Sequence, residues 1–213
     1  MMEEEKALLV EYGKKLISTG LTAGTGGNIS VYDPERQLMA ITPSGIDYFE
    51  MTVDDIVLLN LAGEIVEGTR KPSSEWQMHL INYQKRGAEI RAVVHAHSTF
   101  STILATCRKD LPATNYMIAV AGGDDVRCSK YATFGTEELA EYAFEAMEGR
   151  YACFLANHGL LTCGPTLKEA FSVAGEIERL AGLHVGASLL GNPVVLAQSD
   201  MAKVHEQFPS YGQ

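Results

Sequence analysis

Ala92-Val93-Val94-His95-Ala96-His97-Ser98 is an apolar run that ends in two histidines. Alternate residues of a β-strand point to one face. On a strand, His95 and His97 therefore present two imidazoles side by side, spaced to share one ion. That pairing suits zinc or a similar divalent metal. Taken alone, it suits equally two ordinary histidines in a core or on a surface. The reading turns on whether the rest of the chain supplies more ligands, and on the fold that would gather them.

The surrounding pattern alternates strands and helices irregularly. Glu3 to Thr19 reads as a helix, with Leu8, Leu9, Tyr12, Leu16 and Ile17 at helical spacing and Gly20 closing it. Asn28 to Tyr32 and Leu38 to Thr42 read as strands across a turn at Asp33-Pro34, and Ile56 to Leu61 as another. Pro72-Ser73-Ser74 opens a helix that runs to about Arg86, and Thr99 to Cys107 reads as helical. Thr136 begins a helix with Glu137 and Glu138 in its first turn and Gly149 at its end. Ala152 to Asn157 is expected as a strand. Thr166 opens the longest helix with Glu169 at capping-box spacing. Gly175, Gly182 and Gly186 inside that helix imply close packing against a neighbour. Adjacent strands look hairpin-like. The expected architecture is α/β: one domain over residues 1–213, an α/β/α sandwich around a mixed, largely antiparallel central sheet.

Composition narrows the function. The chain has 213 residues, of which 46% are hydrophobic, enough for one sizeable core. A net charge of -10 argues against nucleic acid as a partner, because no basic patch meets the phosphates. An acidic N-terminus and the lack of a long apolar run argue against a signal peptide and a membrane span. Cys107, Cys128, Cys153 and Cys163 form no CxxC pair, as expected of reduced thiols in a cytoplasmic protein.

His158 is the best third ligand, since it follows an apolar run and precedes Gly159. Glu75, just after Ser73 and Ser74, is the best fourth. Three imidazoles and a carboxylate around Zn²⁺ leave one net positive charge, and a carboxylate able to swing away would open a Lewis-acidic site. His79 lies four residues after Glu75. Trp76, Leu80 and Tyr83 make its helix a core element, which favours packing, or a bond to a ligand, over metal binding. His184 and His205 lack neighbours of this kind. Gly26-Gly27-Asn28, Ser44-Gly45 and Ser73-Ser74 form a second set, small donors that together suit a phosphate without any lysine. Each alone reads equally as a turn or cap. The dinucleotide and P-loop fingerprints are absent.

These segments resemble the class II aldolase family of metal-dependent sugar-phosphate aldolases and epimerases. The resemblance runs through Gly24-Thr25-Gly26-Gly27-Asn28-Ile29-Ser30, Ile41-Thr42-Pro43-Ser44-Gly45, Pro72-Ser73-Ser74-Glu75-Trp76, Val93-Val94-His95-Ala96-His97 and Asn157-His158-Gly159-Leu160. The segments Tyr116 to Gly123 and Tyr131 to Thr136, with Phe208-Pro209-Ser210-Tyr211-Gly212, resemble the branch that cleaves L-fuculose 1-phosphate. The resemblance implies one Zn²⁺ per subunit held by Glu75, His95, His97 and His158, with Glu75 also the catalytic acid/base. It implies a phosphate site at Gly27, Asn28, Ser44, Gly45, Ser73 and Ser74. Tyr116 is then a second catalytic residue, reaching a neighbouring active site in a homotetramer. Phe134, Phe208 and Tyr211 are expected to line the aldehyde end, the last two from a mobile tail. The implied reaction is cleavage of L-fuculose 1-phosphate, or a related ketose 1-phosphate, to dihydroxyacetone phosphate and L-lactaldehyde through a zinc-stabilised enediolate. A sugar-phosphate 4-epimerase and a methylthioribulose-phosphate dehydratase stand behind that reading. A non-enzymatic interaction domain stands last, because all four ligand candidates are present.

Overall fold

In the computed structural model, residues 1–208 are described, and among them nine strands form one sheet. They are β1 (Asn28–Asp33), β2 (Leu38–Ile41), β3 (Val57–Asn60), β4 (Ile65–Glu67), β5 (Ala92–Ala96), β6 (Leu111–Pro112), β7 (Asp125–Cys128), β8 (Ala152–Leu155) and β9 (Gly159–Gly164). Their spatial order is β4-β3-β2-β1-β5-β9-β8-β7-β6. Every neighbouring pair is antiparallel except β7 and β8, which run parallel. The helices are α1 (Glu3–Ser18), α2 (Trp76–Arg86), α3 (Thr99–Thr106), α4 (Glu137–Ala146), α5 (Leu167–Leu190) and α6 (Gln198–Gln207).

Strand alternation divides the helices into two layers. Ala92, Val94 and Ala96 of β5 join Leu9 and Leu16 of α1, Leu104 of α3, Ile177 of α5 and Met201 of α6. Val93 joins Met78, Leu80 and Tyr83 of α2 and Leu139 and Ala143 of α4. β2 and β8 split likewise, with Leu38, Ala40 and Phe154 on the first side and Met39, Ile41 and Leu155 on the second. Each large side chain buried this way contributes roughly 1.5–3 kcal/mol. A mixed, largely antiparallel sheet between two helical layers is the architecture expected from the sequence. His95, two residues after Val93, shares the face covered by α2 and α4.

Some elements differ from the sequence reading. β9 was not expected as a strand. All six of its residues are buried, so it shows none of the alternation that marks a half-exposed strand. In α5, Thr166 accepts a hydrogen bond from the Glu169 N–H, as its spacing implied. Close packing is found at only one of the three helix glycines. A Cβ at Gly182 would lie 2.9 Å from the Phe100 ring, whereas Gly175 and Gly186 have open space.

Candidate metal centre

β5 lies at the middle of the sheet, and its C-terminal end gathers the site. Asn28 of β1 pairs with His95 on one side, and Leu161 of β9 pairs with it on the other. His97 falls just past the strand, ahead of α3. β8 stops at Leu155, short of the expected Asn157. Ala156, Asn157 and His158 form the hairpin turn to Gly159. Asn157 adopts φ 56°, and the His158 N–H donates to the Leu155 carbonyl at 2.9 Å. That turn hangs His158 over the end of β5.

Glu75 arrives from the other side. An isolated bridge joins Pro43 to Pro72, and the Ser73 N–H donates to the Thr42 carbonyl at 3.1 Å. These long-range contacts keep the chain extended through Ser73. α2 therefore begins at Trp76, later than the sequence reading placed it, and Glu75 is the cap residue, not a first-turn residue. Two glycines let the segments close in. Gly27 has φ +71°, and a Cβ there would sit 2.6 Å from the His95 carbonyl oxygen; one at Gly159 would sit 2.5 Å from that of Ala96.

The four side chains converge. Their ligand atoms lie within 4.8 Å of one another. The Nε2 atoms of His95 and His97 are 2.9 Å apart, and those of His158 and His97 3.1 Å. Glu75 places Oε2 3.3 Å from His95 Nε2 and Oε1 3.3 Å from His158 Nε2. Nitrogens bound at about 2.0–2.1 Å around a tetrahedral zinc are about 3.3–3.4 Å apart, close to this spacing. His95 Nδ1–H donates to the Leu160 carbonyl at 2.9 Å, which turns its Nε2 lone pair toward the cluster. Burial holds the His97 and His158 pKa values down to about 4, and the neighbouring imidazoles add to this, so both rings stay in the neutral form a metal requires. Burial works to raise the Glu75 pKa, but attraction and hydrogen bonding to His95, then His158 and Asn28, outweigh it and hold the carboxyl well below its usual range. Glu75 Oε1 is buried and has no hydrogen-bond partner among the described residues. An orphaned carboxylate oxygen facing converged imidazole lone pairs fits a bound cation.

The donor segments surround this cluster. The Pro43–Pro72 bridge, with bonds from the Ser44 N–H to the Lys71 carbonyl and from the Ser73 N–H to the Thr42 carbonyl, pairs the segment of Ser44 antiparallel with that of Ser73. The Tyr48 hydroxyl donates to the Gly27 carbonyl at 2.8 Å, and the Asn28 side-chain amide donates to Glu75 Oε2 at 3.0 Å. That second contact gives Asn28 a partner the sequence reading did not assign. Ser44, Gly45 and Ser74 are exposed at the rim, and Asn28 and Ser73 are buried beneath it.

A cavity of about 280 Å³ opens beside the cluster, lined by Ser74, Glu75, His97, Tyr131, Phe134 and His158 among others. Phe134 lines the cavity that Glu75 lines. Tyr131, three residues before Phe134, was not among the expected site residues but also lines this cavity; its ring carries the Arg108 guanidinium at 5.9 Å. Tyr116 begins a short 3₁₀ helix (Tyr116–Ala121) and lines a different, smaller cavity with Val204, Gln207 and Phe208. Phe208 is thus beside Tyr116, not in the Glu75 cavity of its own chain. Tyr211 lies outside the described residues. His79 bonds to Asn28, and His184 and His205 lie outside the cluster, bonded to Thr114 and Asp124.

Known proteins are similar to this chain over most of its length. Residues 7–185 match the family model described as Class II Aldolase and Adducin N-terminal domain. A 5-deoxy-D-ribulose 1-phosphate aldolase from Bacillus thuringiensis serovar kurstaki is 48% identical over all of this chain and 99% of its own length. An L-fuculose phosphate aldolase from Escherichia coli K12 is 42% identical over 91% of this chain and 88% of its own. A solved L-fuculose 1-phosphate aldolase structure superposes with a TM-score of 0.94 at 54% identity, covering 97% of this chain and 96% of that one. The chain belongs to the class II aldolase family.

Proposed function

We propose that the protein is a zinc-dependent aldolase. Its substrate is a ketose 1-phosphate ending in a methyl group, L-fuculose 1-phosphate or the shorter 5-deoxyribulose 1-phosphate. The products are dihydroxyacetone phosphate and a short aldehyde, L-lactaldehyde from the first substrate. The observation that carries this reading is the convergence of Glu75 with three imidazole Nε2 atoms next to a lysine-free set of phosphate donors.

Gly27, Asn28, Ser44, Gly45, Ser73 and Ser74 hold the phosphate through backbone N–H groups and hydroxyls. Zinc, held by Glu75, His95, His97 and His158, supplies Lewis-acid stabilisation of negative charge on the oxygens beside the bond that breaks. Tyr116 takes the proton from the hydroxyl that becomes the aldehyde as the C3–C4 bond opens. Glu75 takes up the proton that Tyr116 returns through solvent, delivers it to the C3 carbon of the phosphorylated fragment, and removes a proton from that carbon in the synthetic direction. Phe134 and Tyr131 pack against the methyl end. Tyr116 and Phe208 share one surface away from the Glu75 cavity, so we place them in a neighbour's active site within a homotetramer. Phosphorylated sugars are retained inside cells, and the four thiols are unpaired, which favours the cytoplasm.

The test is an assay of dihydroxyacetone phosphate release from both substrates, before and after EDTA and zinc. The expected result is cleavage that EDTA abolishes and zinc restores. Full activity in rigorously metal-free protein would contradict the mechanism. Formation of an epimeric pentulose phosphate without cleavage would move the chain to the epimerases.

A further inference from the structure

A buried hydrogen-bond chain runs from Glu75 into the core through four side chains. Asn28, Ser30, His79 and Tyr83 have 4%, 0%, 0% and 2% exposure, so no solvent competes for their bonds. The direction of every bond follows from Glu75. A carboxylate only accepts, so the Asn28 amide must turn its NH₂ to Glu75 Oε2. Its carbonyl then faces His79 Nε2, which must donate. A neutral ring protonated at Nε2 accepts at Nδ1, and Ser30 Oγ lies there at 2.7 Å. With the Ser30 O–H directed at His79 Nδ1, the Tyr83 hydroxyl donates to Ser30 Oγ at 2.6 Å. All four donors therefore point toward Glu75.

We propose that His79 is a positioning residue, held as the Nε2–H tautomer by Ser30 and Tyr83, that locks the Asn28 amide with its NH₂ toward Glu75. The proposal rests on the aldolase reading for its effect on catalysis. Burial holds the His79 pKa down to about 3, so the neutral ring is its resting form. An Asn28 amide free to rotate would set its carbonyl oxygen against the carboxylate and displace it. His79 thus acts on proton transfer by Glu75 without touching the substrate. The same Asn28 belongs to the phosphate-binding segment, so one residue ties phosphate recognition to the acid/base.

The test combines nitrogen NMR of the metal-free protein with solvent-deuterium exchange into dihydroxyacetone phosphate alone, a reaction that needs Glu75 and no aldehyde. NMR should show His79 protonated at Nε2 only. In the zinc-loaded enzyme, His79→Leu should lower exchange and kcat about 10- to 100-fold, the range for residues that orient ligands. Zinc content should stay unchanged at saturating metal, because the imidazoles of His95, His97 and His158 are untouched. His79→Gln, which keeps an N–H donor near the Nε2 position, should restore most of the loss. Should His79→Leu fail to fold, Ser30→Ala makes the same test, because it removes the donor that fixes the tautomer. An Nδ1–H tautomer, wild-type exchange in His79→Leu, or equal losses in the Leu and Gln variants would overturn the proposal. If the wild-type enzyme neither exchanges nor cleaves, the aldolase reading fails, and the NMR tautomer still decides the network.

Discussion

The Glu75 cluster and the Tyr116–Phe208 patch are both parts of the proposed active site, but they are built differently. The cluster is assembled within one chain from three separate segments, and its ligand atoms already lie within 4.8 Å of one another. Its outer bonds, to Leu160 and to Asn28, are in place before any substrate arrives. The patch is set on a short 3₁₀ helix and the end of α6, with Tyr116 44% exposed. It borders its own small cavity of about 140 Å³. One chain brings the four candidate ligands together and leaves Tyr116 exposed, while Phe208 packs partly against the core. In the proposed mechanism a second copy supplies the remaining catalytic group.

The largest effect is expected in the cluster. His97→Ala should remove zinc binding and cleavage together while the subunits stay folded, as circular dichroism and metal analysis would report. Tyr116→Phe should retain zinc and lose about 10²- to 10⁴-fold in kcat, the range for a positioned proton-transfer group. Mixing the two halves breaks the comparison directly. Reassembled mixtures of Glu75→Gln and Tyr116→Phe subunits should recover activity that neither has alone, because some interfaces pair an intact Glu75 with an intact Tyr116. No recovery would place both residues in one chain's site.

A smaller effect concerns acid. His79 titrates near 6.5 when unfolded and near 3 when folded, and His97 and His158 near 4 when folded. Between these values the unfolded chain binds more protons, so lowering the pH favours unfolding. The Glu75 carboxyl is also depressed, which adds stability above its ordinary value of 4.5 that is lost as pH falls. The metal-free protein should therefore show a Tm that drops steadily from about pH 6.5 toward pH 4. A flat Tm across that window would contradict the neutral, buried imidazoles. The smallest effect lies far from both regions. Thr166→Ala removes the cap of α5 and should cost about 1 kcal/mol in chemical denaturation with kcat unchanged.

Local chemistry made much of this legible. His95 and His97 stood out because strand periodicity puts them on one face. His158 stood out because an apolar run ends in front of it and a glycine follows. β1 and β2 could be read from short runs on either side of a turn at Asp33-Pro34, and α5 from its cap. What was missed depends on distant contacts. The start of α2 is delayed by the pairing of Pro72 with Pro43, two segments that share no local signal. β9 is buried on both faces and β6 is two residues long, so neither carries a usable period. α6 buries only Met201, too little to mark an amphipathic stripe. The bond from Asn28 to Glu75 spans 47 residues and relies on the Pro43–Pro72 bridge that brings the Glu75 segment alongside. Tyr131 reaches the cavity through a loop whose path no spacing rule fixes.

Zinc titration of the demetallated protein, with cleavage measured at each addition, tests the central claim most directly. Activity should rise linearly and saturate at one equivalent per subunit, and the His97→Ala variant should neither bind zinc nor respond. Full-rate cleavage before any metal is added would contradict the account.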